Sequence, residues 1–308
     1  MTPKASLQTA AREHLAQLTT ERQNTASSDL DTKSALEIAQ IMNAEDRKVP
    51  EAVGQALGKI AVAIDAITDA LRRGGRLIYV GAGTSGRIAA LDASECPPTF
   101  GISPERVQYI MAGGEKALGR AAEYNEDSRA AGAADMAKRK PGKRDVVVGI
   151  AASGRTPYTI AAVEHARKRG AKTVAVTCNA NSELGRAAEI EIVAEVGPEV
   201  VSGSTRLKAG TAQKLILNML TTGAMTRLGY VYDNLMINVG MKNEKLNARA
   251  ASVLERAASV DLATAETALE KAGRSVPVAL VMMKCSVGKV EAMRRLKRAQ
   301  GNVRKAIG

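Results

Sequence analysis

The chain has 308 residues, 45% apolar and only 2% aromatic, with no Trp and Phe100 as its single Phe. That length suffices for one large α/β domain and a small appendage, with a core of Ala, Val, Ile, Leu and Met. A formal net charge of +12 raises the question of a polyanionic partner, which the placement of the charge answers below.

The start, Met1-Thr-Pro-Lys-Ala-Ser-Leu-Gln8, lacks a basic stretch followed by an apolar run. No later stretch is apolar enough to span a bilayer, so the expectation is a soluble cytoplasmic protein without a membrane partner. Cys96, Cys178 and Cys285 are far apart and odd in number, which reads as reduced thiols. His14 and His165 have no partner at ligand spacing and read as helix-surface residues, so no metal site is expected.

Residues 1–48 are polar and read as an irregular N-terminal segment, with a loop over Glu21–Ser27. From Pro50 the apolar positions Val53, Leu57, Ile60, Ile64, Ile67 and Leu71 recur every three or four residues, an amphipathic helix stopped by Gly74-Gly75. Strands then alternate with helices. The expected strands are Arg76–Val80, Val107–Met111, Asp145–Ala151, Lys172–Thr177 and Glu189–Val193. The helices between and after them are Thr84–Ser94, Glu115–Lys138, Thr156–Arg169 and the long Ser204–Arg227. Short Val/Ile runs between helices predict a doubly wound, mainly parallel sheet with both faces covered, over residues 49–240. After Gly240 only helical patterning remains, at 243–258, 261–272, 277–285 and 287–300, so residues 241–308 read as a small all-helical module.

From Gly273 to Gly308 the chain has nine Lys or Arg against one acid. These residues stand on helical spacing between Val290, Met293 and Leu296, which describes a solvated helix face. Stacking aromatics and groove-reading motifs are missing there, so specific nucleic-acid binding is not expected.

Two stretches read strand, glycine turn, helix: Leu77-Ile-Tyr-Val-Gly-Ala-Gly-Thr-Ser-Gly86 and Val146-Val-Val-Gly-Ile-Ala-Ala-Ser-Gly-Arg-Thr156. Each sets hydroxyls and unhindered N–H groups at a helix start, where peptide dipoles favour an anion. The first contains Gly-x-Gly-x-x-Gly, but Leu91-Asp-Ala-Ser-Glu95 follows at once, too early for the ribose-binding acid of a dinucleotide site. The pair therefore suits a phosphorylated small molecule better than a nucleotide.

Glu95 precedes Cys96-Pro-Pro-Thr-Phe100, where two prolines are expected to end the helix. A carboxyl group beside Pro97, Pro98 and Phe100 is expected to be partly desolvated and able to stay protonated near neutrality. Glu126, in Ala122-Glu-Tyr-Asn-Glu-Asp-Ser128, is a second acidic candidate. Two carboxyls near one sugar phosphate permit paired acid and base work, although a Glu on a helix is commonly just a solvated surface residue. A third constellation, Val196-Gly-Pro-Glu-Val-Val-Ser-Gly-Ser-Thr-Arg-Leu-Lys-Ala-Gly210, supplies Glu199, three hydroxyls, Arg206 and Lys208 where the long helix begins. Helix capping accounts for some of these hydroxyls, and a ligand site accounts for the density of the cluster.

The order of these three turns resembles the sugar isomerase (SIS) domain. The longer strings Gly81–Arg87, Leu91–Gly101, Gly149–Tyr158 and Val200–Lys214 resemble the N-acetylmuramic acid 6-phosphate etherase family, with support from Asn24-Thr-Ala-Ser27, Asn234-Leu-Met236 and Asn243-Glu-Lys-Leu246. The resemblance implies a cofactor-free carbon–oxygen lyase, working as a homodimer, that releases D-lactate from a small-molecule sugar phosphate in cell-wall sugar catabolism. It implies Glu95 as the acid and Glu126 as the base. It also places Thr84, Ser85 and Gly86 on the sugar side, and Ser153, Gly154, Arg155 and Thr156 on the phosphate. Ser204 and Lys208 fall where related SIS enzymes touch the sugar, and Glu199 remains a rival base. The alternatives are an aldose–ketose isomerase on the same domain and a non-catalytic sugar-phosphate sensor of the glucokinase regulatory protein type. The first needs no acid for a leaving group at carbon 3, and the second commonly has a further SIS domain for which this chain has no room.

Overall fold

The computed structural model describes residues 19–120, 125–238 and 244–308. Among them the chain divides into two compact units. The first runs to Ala93 and resumes over Val107–Leu220; the second joins Ser94–Arg106 to Thr221–Gly308.

The first unit carries five parallel strands, β1 (Leu77–Gly81), β2 (Val107–Met111), β3 (Val146–Ile150), β4 (Lys172–Thr177) and β5 (Ile190–Val193), in the order β2-β1-β3-β4-β5. Leu77 stands opposite both Val107 and Val146, and Val146 opposite Lys172. Successive side chains of a strand point to opposite faces. Leu77, Ile78, Tyr79 and Val80 are all fully buried, so helices cover both sides, as the apolar runs predict.

Helices α1 (Ala35–Asp46), α2 (Lys48–Gln55) and α3 (Leu57–Arg72) precede β1. Two of these correct the sequence reading. The segment taken as irregular contains α1, nucleated by a capping box: Ser34 Oγ accepts from Glu37 N–H and Glu37 Oε2 accepts from Ser34 N–H. The expected single helix from Pro50 starts at Lys48 and breaks at Ala56, where Ala56 N–H bonds three residues back to Val53 O rather than four. Gly54 and Gly58 flank the break and lower the cost of leaving the helix.

Helix α4 (Gly83–Phe100) also departs from expectation, because it continues through Pro97 and Pro98. The fixed proline φ is compatible with a helix, and what is lost is one bond each. Those losses fall in the last turn, which Gly101 N–H closes by donating to Pro97 O at 2.9 Å. The expected helix over 115–138 is described as two pieces, α5 (Lys116–Gly119) and α6 (Arg129–Lys138). The second starts where Ser128 Oγ accepts from Ala131 N–H. Helices α7 (Pro157–Lys168), α8 (Glu183–Ala187) and α9 (Lys208–Leu228) follow. The last begins at Lys208, four residues later than its hydroxyls suggested.

At the amino ends of the strands, Asp145 acts as a clamp. Its Oδ1 accepts from Arg76 N–H (2.9 Å) and Nε–H (3.2 Å), and its Oδ2 from Arg76 Nη2 (2.8 Å) and Gly142 N–H (3.0 Å). Burial pushes this carboxyl up, but the Arg76 guanidinium and the backbone donors outweigh it and hold its pKa below the usual value.

In the second unit a two-stranded hairpin, β6 (Val231–Tyr232) with β7 (Leu235–Met236), accompanies α10 (Glu244–Ala258), α11 (Leu262–Lys271), α12 (Val276–Cys285), α13 (Lys289–Arg298) and α14 (Val303–Ile307). Leu254, Leu269, Leu280, Leu296 and Val303 form its core, and the Arg304 guanidinium lies 4.3 Å from the Tyr232 ring centroid. On α13 Leu296 is buried, while Val290 and Met293 face solvent with the arginines. Cys96, Cys178 and Cys285 form no disulfide. Among the described residues no helix is long and apolar enough to cross a membrane. His165 is half-buried on α7, and His14 lies outside the described residues.

Asp145→Ala should lower the unfolding free energy by about 2–3 kcal/mol, since hydrogen bonds to a charged group are lost and their donors stranded. The clamp sits at the strand ends opposite the glycine turns. Urea denaturation should therefore shift while ligand binding well below the transition stays unchanged.

Candidate functional site

In an open parallel sheet of order 2-1-3-4-5 the connections leave in opposite directions from β1 and β3, which opens a crevice at their carboxyl ends. Both glycine turns fall there. The first, Ala82–Gly86, leaves β1 and forms the first turn of α4, with Gly86 N–H bonding back to Ala82 O at 3.1 Å. Thr84 is half-buried and Ser85 buried. The second, Ala151–Thr156, leaves β3. Its Ser153 hydroxyl accepts from Arg155 N–H at 3.3 Å. Thr156 is the N-cap of α7, yet its hydroxyl caps no helix N–H, and Pro157 supplies no N–H to satisfy. The hydroxyl and the positive end of a 12-residue helix are thus presented together, which suits an anionic oxygen.

Glu126 enters between these turns. Its backbone oxygen accepts from Tyr158 N–H at 3.0 Å, fixing it to the start of α7. Its side-chain Oε1 lies 3.0 Å from where a Cβ on Gly83 would stand. Gly83 has φ +51°, a left-handed conformation that glycine adopts without strain, and a side chain there would press on the Glu126 carboxylate. The structure thus brings the first turn, the second turn and Glu126 together within one unit. Arg87, in the same string as the first turn, holds the preceding segment in place. It donates to the carbonyls of Leu118 (3.0 Å), Ala117 (2.9 Å) and Arg120 (3.1 Å).

The third constellation approaches from α9. Gly210 lies beneath the first turn, its would-be Cβ 3.5 Å from Thr84 Cγ2. The helix start is capped by Glu199, not by the hydroxyls before it: Oε2 accepts from Lys208 N–H and Oε1 from Ala209 N–H, both at 2.9 Å. Burial raises the Glu199 pKa, against the two backbone bonds and the nearby Lys208. Ser204 is half-buried, with its N–H donating to Val201 O.

Lys208 is fully buried, and its Nζ pairs with Glu45 Oε2 at 2.7 Å. Sequence reasoning missed this partner, 163 residues away, because spacing carries no trace of it. Asn24 Nδ2 also donates to Glu45 Oε2 (2.9 Å) and to Pro198 O (3.1 Å), and Ser27 Oγ donates to Val200 O (2.8 Å). The polar string Asn24–Ser27 is therefore a strap across the third constellation. Burial pushes the Glu45 carboxyl up, but hydrogen bonds from Lys208, Lys48 and Asn24 override it and hold the pKa at about 2.

Glu95 lies on the part of α4 that belongs to the second unit, and it is exposed. The expected desolvation is not found, because the helix continues through the prolines and leaves this residue on an outer face. Among the described residues no group of three or more His, Cys, Asp and Glu could hold a metal.

With this geometry in hand, the comparisons with known proteins are specific. Residues 59–167 match the glucokinase regulatory protein N-terminal SIS domain, and residues 118–223 match the SIS domain. The N-acetylmuramic acid 6-phosphate etherase of Klebsiella aerogenes is 50% identical over 293 residues, spanning 95% of this chain and 98% of its own. Those of Clostridium beijerinckii (49%, 96% of this chain and 97% of its own) and Oenococcus oeni (50%, 95% and 99%) are similar to the same extent. The chain belongs to the N-acetylmuramic acid 6-phosphate etherase family. Its five-stranded unit is the family's SIS domain, and the crevice between the two glycine turns is that domain's strand-order switch point.

Removing one partner of the buried pair exposes its role. Lys208→Met should cost about 3–5 kcal/mol in urea unfolding, since it strands the Glu45 charge, and Glu45→Gln combined with it should recover part of that loss. Glu45 has a folded pKa depressed from the ordinary 4.5 to about 2, so its contribution is present above 4.5 and is lost as pH falls towards 2. Wild type should therefore lose stability relative to Glu45→Gln across that window, as read by urea midpoints at successive pH values.

Proposed function

We infer that this protein cleaves the D-lactyl ether of N-acetylmuramic acid 6-phosphate with water, giving N-acetylglucosamine 6-phosphate and D-lactate. It is a carbon–oxygen lyase of amino-sugar catabolism. One observation carries the reading: the chain is half identical to the etherases over nearly its whole length, and the Glu126 carboxylate beside Gly83, in a glycine turn at the sheet's switch point, supports it.

The chemistry follows from the bond to be broken. An ether oxygen leaves poorly, and direct displacement at a ring carbon is slow. Opening the sugar exposes an aldehyde at carbon 1, which acidifies the proton on carbon 2. Removal of that proton gives an enolate, whose electron pair expels the lactyl oxygen from carbon 3 as an acid protonates it. Water then adds to carbon 3 of the unsaturated aldehyde, and the proton returns to carbon 2.

In this scheme Ser153, Gly154, Arg155 and Thr156 hold the phosphate, and Thr84, Ser85 and Gly86 face the sugar. Glu126 is the base at carbon 2. Its carboxylate lies against the first turn, where such a proton would be presented. Glu95 takes the acid's role on the strength of the family string Leu91–Gly101. Glu199, with both oxygens engaged by backbone N–H groups, is a helix cap and not a base. Lys208 is tied to Glu45, which supports a structural role for it, and Ser204 remains as a sugar contact. We further propose that the chain works as a homodimer in the cytoplasm, without a nucleic-acid partner. The basic helix α13 supports that view of its charge: Glu291 accepts from Arg294 and Arg295 on the helix itself.

Incubation with N-acetylmuramic acid 6-phosphate in ¹⁸O-water should yield D-lactate without label and place label on the carbon 3 oxygen of the sugar. Label in lactate would exclude the elimination route. Glu126→Gln and Glu95→Gln should each lower kcat by about 10²–10⁴-fold with intact folding. Full activity in either would remove that residue from the scheme.

A further inference from the structure

The two glutamates given acid and base work can both be located against one helix, so their separation within a chain follows from helix geometry. Helix α4 is unbroken from Gly83 to Phe100. The Glu126 carboxylate stands at its first residue, with Oε1 3.0 Å from where a Cβ on Gly83 would be. Glu95 lies twelve residues further along the same helix. A rise of about 1.5 Å per residue puts it about 18 Å down the axis. Even a fully extended glutamate side chain, about 5 Å long, leaves the two carboxylates at least about 10 Å apart.

The reaction allows less. Carbon 2 and the oxygen on carbon 3 are two bonds apart, and each proton moves across a hydrogen-bond distance. An acid and a base working on one sugar therefore stand within about 8 Å of each other. Glu95 and Glu126 of one chain serve different sugars. The carboxylates that the third constellation brings up do not fill the gap, since Glu199 holds two backbone N–H groups and Glu45 holds the Lys208 cation.

The surroundings of Glu95 point the same way. Leu91, Glu95 and Pro98 follow one another at steps of four and three, and so share one stripe of α4. All three are exposed, Leu91 to 53%. The front of this stripe is covered from within the chain, where a Cβ on Gly210 would stand 3.5 Å from Thr84 Cγ2 and 3.7 Å from Ile88 Cδ1. Its rear presents a carboxyl group outward between two apolar side chains, within reach of a second molecule.

We propose that Glu95 acts in trans: in a homodimer it enters the crevice of the second copy as the acid, opposite Glu126 of the partner subunit. A two-fold axis makes the exchange reciprocal, so a dimer holds two composite sites and a lone chain holds none. The inference rests on the proposed function for the roles of both glutamates, and deepens it by making the second copy a component of the site.

Heterodimers read this directly. Co-expressed chains with different affinity tags are isolated on two successive columns and assayed for D-lactate release from N-acetylmuramic acid 6-phosphate before subunits exchange. A Glu95→Gln chain paired with a Glu126→Gln chain has one composite site with both carboxyls. It should show about half the wild-type kcat per dimer, while each variant homodimer is about 10²–10⁴-fold down. A wild-type chain paired with a Glu95→Gln/Glu126→Gln chain has no such site, and should fall to the level of the variant homodimers. A first heterodimer no more active than the variant homodimers, or a half-active second one, overturns the proposal and leaves the etherase reading in place. Wild-type activity from chains that light scattering shows to be monomeric at assay concentration overturns it too. Full activity in either variant homodimer removes that residue from the chemistry, which defeats the acid–base reading and this proposal together.

Discussion

The third constellation is held in place by two buried carboxylates, and the arrangement of the first unit depends on them. Glu199 accepts from two buried N–H groups at the start of α9 that have no partner within the helix, and Glu45 neutralises the Lys208 cation buried there. Burying either charge alone costs several kcal/mol. Together, and with Asn24 and Lys48 completing their hydrogen bonds, they fix where α9 begins and so where Gly210 meets Thr84. A helix start shifted by one turn would withdraw Gly210 from the first glycine turn.

The same interactions explain a strap that crosses more than a hundred residues of sequence. Asn24, Ser27 and Ser202 exchange hydrogen bonds between the residues before α1 and the loop after β5. The segment has almost no apolar residues with which to pack, and it is held by side chains that find backbone carbonyls instead. Cys178, buried beside this region, has its thiol pushed up to about 12 by burial and by the Glu199 charge, so it stays protonated and unreactive.

Around the crevice the design principle is different. The second turn leaves hydrogen-bonding capacity unspent: Thr156 caps no helix N–H, and Arg155 has a buried nitrogen with no acceptor among the described residues. Rigid, satisfied groups surround unsatisfied ones. Arg87 illustrates the supporting role, spending its guanidinium on three carbonyls that lead towards Glu126. At the end of the string Gly81–Arg87, it acts as a strut.

Strand positions, sheet type and both glycine turns were legible from the sequence, because short buried strands and glycine–hydroxyl turns are local patterns whose period and chemistry do not depend on distant residues. The candidacy of Glu126 came from a motif, and its carboxylate stands 3.0 Å from where a Cβ on Gly83 would be. Helix limits were less legible where their cause was distant. Prolines 97 and 98 fall within their helix, which ends two residues beyond them at Phe100, and the cap of α9 is a glutamate nine residues before it, not the neighbouring serines. The pairing of Lys208 with Glu45, the strap from Asn24, the exposure of Glu95 and the membership of residues 94–106 in the second unit were decided by tertiary structure alone. Each depends on which surfaces lose water when distant segments meet, and that quantity is not contained in the spacing of residues along a chain.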